Sequence, residues 1–207
     1  NRAADRDRWP SAREIAAARR SVGAQRLRLE APDRVELPPG AAVELGGIGK
    51  GYAADRIGAL LRALGATSAL VNFGESSILA IGPPAGRAPW PIWVRRGDAL
   101  DGPLRLRNMA LSTSASWGQT RRVEGRQIGH IIDPMTGRPL TRAAQATIVA
   151  PTATEAEAWS KSLLIDPAGA FAALPRVQNV GGLLLEGRRV VDDERFAALC
   201  EWPTAAP

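Results

Sequence analysis

The chain has 207 residues, 45% of them hydrophobic, which is enough for one substantial core or two small ones and too apolar for wholesale disorder. No apolar run reaches the ~18 residues of a membrane span, and the single cysteine, Cys200, excludes an internal disulfide. A net charge of +6 raises nucleic acid as a partner. Against that, the only lysines are Lys50 and Lys161, the arginines are interleaved with carboxylates, and no basic-aromatic stacking motif breaks the scatter.

The chain begins at Asn1 with no signal-peptide h-region, which reads as a processed or truncated product. Residues 1–40 are charged and Pro-rich, and Ser11 is placed to cap a helix running to Arg20. "RLRLE" (residues 26–30) alternates like a half-buried strand, and "DRVELPPG" reads as a second strand with its turn. Val43 and Leu45 open a further strand that enters the glycine loop "GGIGKG" (46–51). Ala53, Ile57, Leu60, Leu61 and Leu64 then recur at helical spacing until Gly65 stops the helix. Residues 68–73 and 77–81 read as buried strands, while "PIWVRR" and "LRLRN" alternate. Residues 109–116 predict a strand ending in a hydroxyl-rich loop, and Arg121, Arg122 and Arg126 a solvated hairpin. A short apolar strand over 128–132 breaks at Asp133-Pro134 into a turn closed by Gly137. A strand at 147–149 precedes a helix from about Thr154 to Ile165; a short helix at "FAALP" and a hairpin at "VGGLLLEGRRVV" follow. Runs of strands with few helices between them predict an α+β fold, with a largely antiparallel sheet and packed helices, in a single domain over 1–207.

Four segments carry candidate chemistry, each with a plainer reading beside it. "ELGGIGKGYAADRI" (44–57) is neither a Walker A loop nor a G-x-G-x-x-G loop. Its glycines, the helix N-terminus and Lys50 suit a phosphate or pyrophosphate; a tight turn with an exposed lysine serves equally well. "LSTSASWGQT" (111–120) offers Ser112, Thr113, Ser114 and Ser116 to a phosphate or ribose, or to its own backbone as a polar turn. "GHIIDPMTGRP" (129–139) holds the only histidine, His130, at a strand end, and histidine is a residue type suited to acid–base work. Asp133 beside it suits a turn-initiating role. "TATEAEAWSKSLLI" (152–165) contains two overlapping capping boxes, Thr152 with Glu155 and Thr154 with Glu157. Glu157 and Lys161 stand four apart, as in an exposed helix pair worth ~0.3–0.5 kcal/mol; alternatively Glu157 and Ser160 face a site.

Together, "ELGGIGKGYAADR", "VNFGESSILAIG", "LSTSAS…GHIIDPMTGRP" and "TEAEAWSKSLL" resemble, in order, the motifs of the ApbE family of FAD-dependent flavin transferases, over a core of residues 43–165. The resemblance implies a T-fold-like α+β domain that binds FAD. With Mg²⁺ it cleaves the pyrophosphate, passes FMN to a Thr or Ser hydroxyl of a target protein and releases AMP. The implied targets are flavin-carrying electron-transfer subunits, and the implied setting is periplasmic or membrane-attached. Residue by residue, it implies FAD contacts at Glu44, Lys50, Ser112 and Thr113. His130 and Ile131 fall on the flavin side, with His130 a general base or orienting group. The Gly47 carbonyl stands at a backbone metal ligand.

Three departures stand out. The family's metal-binding Asp and Thr on the last helix are Glu157 and Lys161 here, and a charged lysine has no lone pair for a metal. Either Lys161 replaces the cation, as part of the catalytic set, or the protein binds flavin without transferring it. Glu75 stands where a second glycine after Gly74 is usual, and part of the family's N-terminal region has no counterpart. A basic nucleic-acid-binding module is the alternative of another class.

Overall fold

The computed structural model describes residues 7–84, 86, 88–96 and 99–200; residues 1–6 of the charged N-terminal stretch lie outside the described residues. In chain order the elements begin with α1 (Ala12–Arg20), β1 (Arg28–Glu30), β2 (Arg34–Glu36), α2 (Gly49–Ala63), β3 (Ala69–Phe73), β4 (Ser77–Ile81), β5 (Trp90–Arg96), β6 (Ala99–Leu106) and β7 (Ala110–Ala115). There follow β8 (Thr120–Val123), β9 (Arg126–Gly129), β10 (Ile132–Asp133), β11 (Arg138–Pro139), β12 (Ala144–Ala150), α3 (Ala153–Ile165), α4 (Pro167–Ala173), β13 (Gly181–Glu186), β14 (Arg189–Asp192) and α5 (Glu194–Cys200). They fall into two compact units, Asn1–Glu44 with Ser116–Arg142 and Leu45–Ala115 with Ala143–Pro207.

In the first unit, α1 starts at a full capping box: Glu14 N donates to Ser11 Oγ while the Glu14 carboxylate accepts from Ser11 N. The remaining elements are antiparallel pairs, β1–β2, β8–β9 and β10–β11. β1 is exposed along its whole length, not half-buried. Arg121, Arg122 and Arg126 lie exposed on the β8–β9 hairpin, as their solvated reading requires. The strand expected over 128–132 is interrupted at His130, between the end of β9 and the start of β10.

The second unit is built on an antiparallel sheet ordered β14-β13-β12-β7-β4-β3. α2 and α3 cover one face, against β3, β4, β7 and β12; α5 packs on β13 and β12 and touches β6. Side chains alternate across each strand, and the contacts follow that rule. Ile78, Leu111, Val149, Leu183 and Leu185 join Ile92, Val94, Leu104 and Leu106 of the β5–β6 hairpin and Phe196 of α5 in one core. Their strand neighbours, including Leu79 and Ile148, face the helices. With both faces covered, β4 and β12 are buried at every position.

The α+β class is therefore borne out, while several boundaries move. Residues 41–45 form no regular element, and Val43 and Leu45 are exposed. The strand expected at 147–149 runs from Ala144 to Ala150. The hydroxyls of 112–116 are not a loop: Ser112 and Ser114 lie within β7 and are buried. α5 was not expected; Asp193 caps it, accepting from Phe196 N at 2.7 Å.

Candidate functional site

α3 carries an inward stripe of Ala153, Ala156, Glu157, Ser160, Leu163 and Leu164. The ends of the stripe are apolar, as a helix on a sheet requires, but its middle is polar. Glu157 and Ser160 are fully buried. A buried carboxylate needs partners, and Glu157 has two. Gly51 N donates to its Oε2 at 2.5 Å, and Lys161 Nζ stands 3.2 Å from its Oε1. This is not the exposed i,i+4 pair that spacing alone allows, since the Lys161 side chain is only 23% exposed.

The two helices exchange caps. While Glu157 of α3 takes the first-turn amide of α2, Asp55 of α2 accepts from Ala153 N at 2.8 Å and Thr154 N at 2.9 Å, both in the first turn of α3. The Thr154 hydroxyl also donates to Asp55, so the second expected capping box, Thr154 with Glu157, does not form; of the first, Thr152 Oγ1 caps Glu155 N and donates to the Glu155 carboxylate, without the reciprocal bond to the Thr152 backbone. The approach is close enough that a Cβ at Gly51 would lie 2.3 Å from Ala153 O. Close approach is what Gly51 supplies, for none of the loop glycines has a positive φ.

The glycine loop spends much of its hydrogen-bonding internally. Ile48 N and Gly49 N both donate to Leu45 O, and Gly51 N is taken by Glu157. Its positive charge is thus carried mainly by side chains. Lys50 Nζ donates to Ser76 Oγ and makes no ion pair with a carboxylate among the described residues. The Lys161 stem passes over Gly47, where an added Cβ would meet its Cδ at 3.5 Å. Burial pushes the Lys161 ammonium below the ordinary lysine range; Glu157 opposes that shift and the nearby Lys50 charge adds to it.

Below this cluster, the helix-facing side of the sheet is lined with hydroxyls. Ser160 Oγ lies 2.8 Å from Ser114 Oγ and 3.4 Å from Ser112 Oγ, and Lys161 Nζ is 3.4 Å from Ser114 Oγ. Ser77 pairs in register with Ser112, and its buried Oγ has no partner. Thr113 points to the opposite face, where its Oγ1 meets Thr147 Oγ1 at 3.1 Å. Of the expected residues, Gly47, Lys50, Ser112, Glu157 and Lys161 therefore share one cluster, and Thr113 does not. Asp55, Ser76, Ser114 and Ser160 belong to the cluster's framework. The sequence signalled Asp55 only through its place in the "GKGYAADR" segment.

Glu44, His130 and Ile131 lie in the first unit. Glu44 is exposed. His130 Nδ1 is 2.9 Å from Gln119 O; a carbonyl only accepts, so Nδ1 carries the proton and neutral His130 presents Nε2 as an acceptor. Asp133 is occupied elsewhere. Its carboxylate accepts from Met135 N at 2.7 Å and Thr136 Oγ1 at 2.9 Å, which holds its pKa down. It forms the turn rather than a dyad with His130. His130, Trp9, Arg121, Ile128 and Pro139 are among the residues lining a cavity of about 220 Å³. Ile131 is outside this lining and holds the loop through its carbonyl, which accepts from Leu140 N.

Magnesium demands near-octahedral oxygen ligation, usually with carboxylates and waters. No set of three His, Cys, Asp or Glu side chains converges among the described residues. The charged group beside Glu157 is an ammonium, which has no lone pair to give. The residues present do not fit a resident magnesium ion.

The sequence profile of the ApbE family matches residues 1–182. The FAD:protein FMN transferase of Klebsiella pneumoniae is 32% identical over 165 residues, covering 75% of this chain and 47% of that protein. The Salmonella typhimurium enzyme of the same name is 31% identical over 168 residues, with the same coverage. The chain thus spans about half the length of these curated relatives. Among solved structures, the ApbE protein of Thermotoga maritima superposes with a TM-score of 0.82 at 30% identity, over 93% of this chain and 64% of that one. The apo flavinyl transferase ApbE of Pseudomonas stutzeri gives 0.78 at 27% identity, over 95% and 63%. The order of motifs, the sheet with its two capped helices and these matches agree: the chain belongs to the ApbE family.

Proposed function

We propose that the protein binds FAD and transfers its FMN half to a Thr or Ser hydroxyl of a partner protein, an electron-transfer subunit. The observation that carries this reading is the convergence of three family segments on one cationic cluster. "ELGGIGKGYAADR" brings Lys50, Gly51 and Asp55, "VNFGESSILAIG" brings Ser76, and "TEAEAWSKSLL" brings Glu157 and Lys161. Phosphoryl transfer depends mainly on positioning and charge neutralisation, and two ammonium groups, of which Lys50 pairs with no carboxylate among the described residues, answer that need. In the reaction the acceptor oxygen bonds to the phosphorus of the FMN half and the anhydride P–O bond breaks. AMP leaves with the bridging oxygen, and the hydroxyl proton passes to a base. On family grounds alone His130, its Nδ1 proton held by Gln119 O, is assigned as that base or as the group that orients the flavin. Glu44, Thr113 and Ile131 remain FAD contacts on family grounds alone.

A second reading, FAD binding without transfer, is favoured by one observation: Lys161 stands where the family places a metal ligand. Two measurements separate the readings. Calorimetric titration with FAD tests binding, and in-gel flavin fluorescence of an electron-transfer subunit after denaturation tests covalent transfer. Binding with a fluorescent acceptor band supports the transferase, and binding without one supports the second reading. No binding sinks both.

A further inference from the structure

We propose that the Lys161 ammonium does the work of a divalent cation in this protein, so that its site takes the pyrophosphate of a dinucleotide without metal. The inference rests on the FAD reading above and concerns how that same site neutralises its ligand.

The geometry carries it in three steps. First, Glu157 is the only carboxylate that pairs with either lysine among the described residues, and both of its oxygens are engaged, one by Gly51 N–H and one by Lys161. A divalent ion at that place would displace Lys161 or meet an ammonium at ligand distance. Second, the lysine is held as a fixed cation rather than left waving on its stem. Its methylenes lie over Gly47, and its Nζ is within 3.2–3.4 Å of Glu157 Oε1, Glu157 O and Ser114 Oγ. Those three contacts match an ammonium's three donors. The contact to Ser114 is the longest and the side chain keeps an exposed part, so one donor can turn to a ligand oxygen. Third, the charges leave room for an anion. Of the two ammonium groups only Lys161 pairs with a carboxylate, Glu157, whereas among the described residues Lys50 is held by the Ser76 hydroxyl alone, and the Asp55 carboxylate is spent on the first turn of α3. A pyrophosphate diester brings one negative charge per phosphate, and charge-assisted hydrogen bonds from two ammonium groups suit it.

The test uses the whole chain. FAD is titrated calorimetrically into protein stripped with EDTA, then in the presence of magnesium, and Mn²⁺ is titrated alone with detection by electron paramagnetic resonance. The expected result is FAD affinity equal within about threefold in both buffers, with no protein-bound Mn²⁺. Lys161→Met should weaken FAD binding by about tenfold or more. Lys161→Thr, which returns an oxygen ligand, should make binding magnesium-dependent. The double variant Glu157→Gln with Lys161→Met removes both charges together, and it keeps the test open if Lys161→Met fails to fold; it too should bind FAD more weakly. FAD binding that appears only with magnesium overturns the inference and leaves the proposed function standing. FAD binding unchanged in every Lys161 variant also overturns it. If FAD fails to bind in either buffer, the functional reading itself falls, and this inference falls with it.

Discussion

A lysine wedged beside a buried carboxylate makes stability depend on pH in a direction that can be worked out. Desolvation, with a further contribution from the Lys50 charge, lowers the Lys161 pKa on balance against the opposing effect of Glu157. In the unfolded chain the same group holds its proton up to about 10.4. Between the lowered folded value and that limit the unfolded state binds more protons, so stability rises with pH across the window. Below it the penalty for burying the charge is constant and fully present. Urea midpoints of the wild type and Lys161→Met, compared from neutral pH to about pH 10, should therefore diverge, with only the wild type gaining; parallel curves would remove Lys161 from the account. Ser77 allows a second check at this scale. Its hydroxyl is buried and unpartnered, so Ser77→Ala loses no protein hydrogen bond and sheds a desolvation cost. The variant should gain about 1 kcal/mol in chemical denaturation, and a loss of that size would mean the hydroxyl is satisfied after all. Glu75 shows the reverse situation: its φ of +60 lies in the left-handed region, where the family's usual glycine would rest without strain.

Between α2 and α3 the decisive contact is backbone on backbone. Alanine at Gly51 improves helix propensity by up to about 1 kcal/mol. Its Cβ, however, falls 2.3 Å from Ala153 O, and no side chain can rotate away to relieve that. The helices must separate, which breaks the Gly51–Glu157 and Asp55–Thr154 caps together. Gly51→Ala should thus destabilise by about 2 kcal/mol or more and weaken FAD binding in the same variant, read by thermal melting and calorimetry. Unchanged stability would show that the caps are not coupled. This contact also marks the limit of what the chain's letters disclose. Helices α2 and α3, the hairpins and most sheet strands were legible, because helical spacing survives in Ile57–Leu61, alternation in "PIWVRR", and an unbroken apolar run in residues 77–81. The burial of Glu157 was not, because a Glu four residues before a Lys scans as a surface pair; only the sheet beneath α3 turns that face inward. Ser112 and Ser114 misled for a related reason. Hydroxyl-rich segments resemble loops, and it takes a facing Ser160 to make such a strand satisfiable. Val43 and Leu45 alternate like a strand but have no ladder to join.

At the scale of the whole molecule the question is which anion the +6 charge serves. At physiological ionic strength the Debye length is about 8 Å, so scattered arginines paired with carboxylates, such as Arg8 with Glu14 and Arg34 with Glu30, act singly and weakly. The tightest exposed run is Arg121, Arg122 and Arg126 on the β8–β9 hairpin. If all three contacted phosphates, single-stranded nucleic acid would bind with a log–log salt slope near about −2, shallow for a nucleic-acid protein and weak at the outset. The Lys50–Lys161 cluster differs because Lys161 is largely shielded and fixed against Glu157, where salt screens less. Raising salt from about 50 to about 200 mM should therefore abolish measurable oligonucleotide binding while FAD affinity falls by no more than about threefold. Fluorescence anisotropy on a labelled single strand and FAD quenching, run on the same preparation, decide it. An oligonucleotide that outlasts FAD as salt rises would assign the positive charge to nucleic acid and detach the lysine cluster from the flavin.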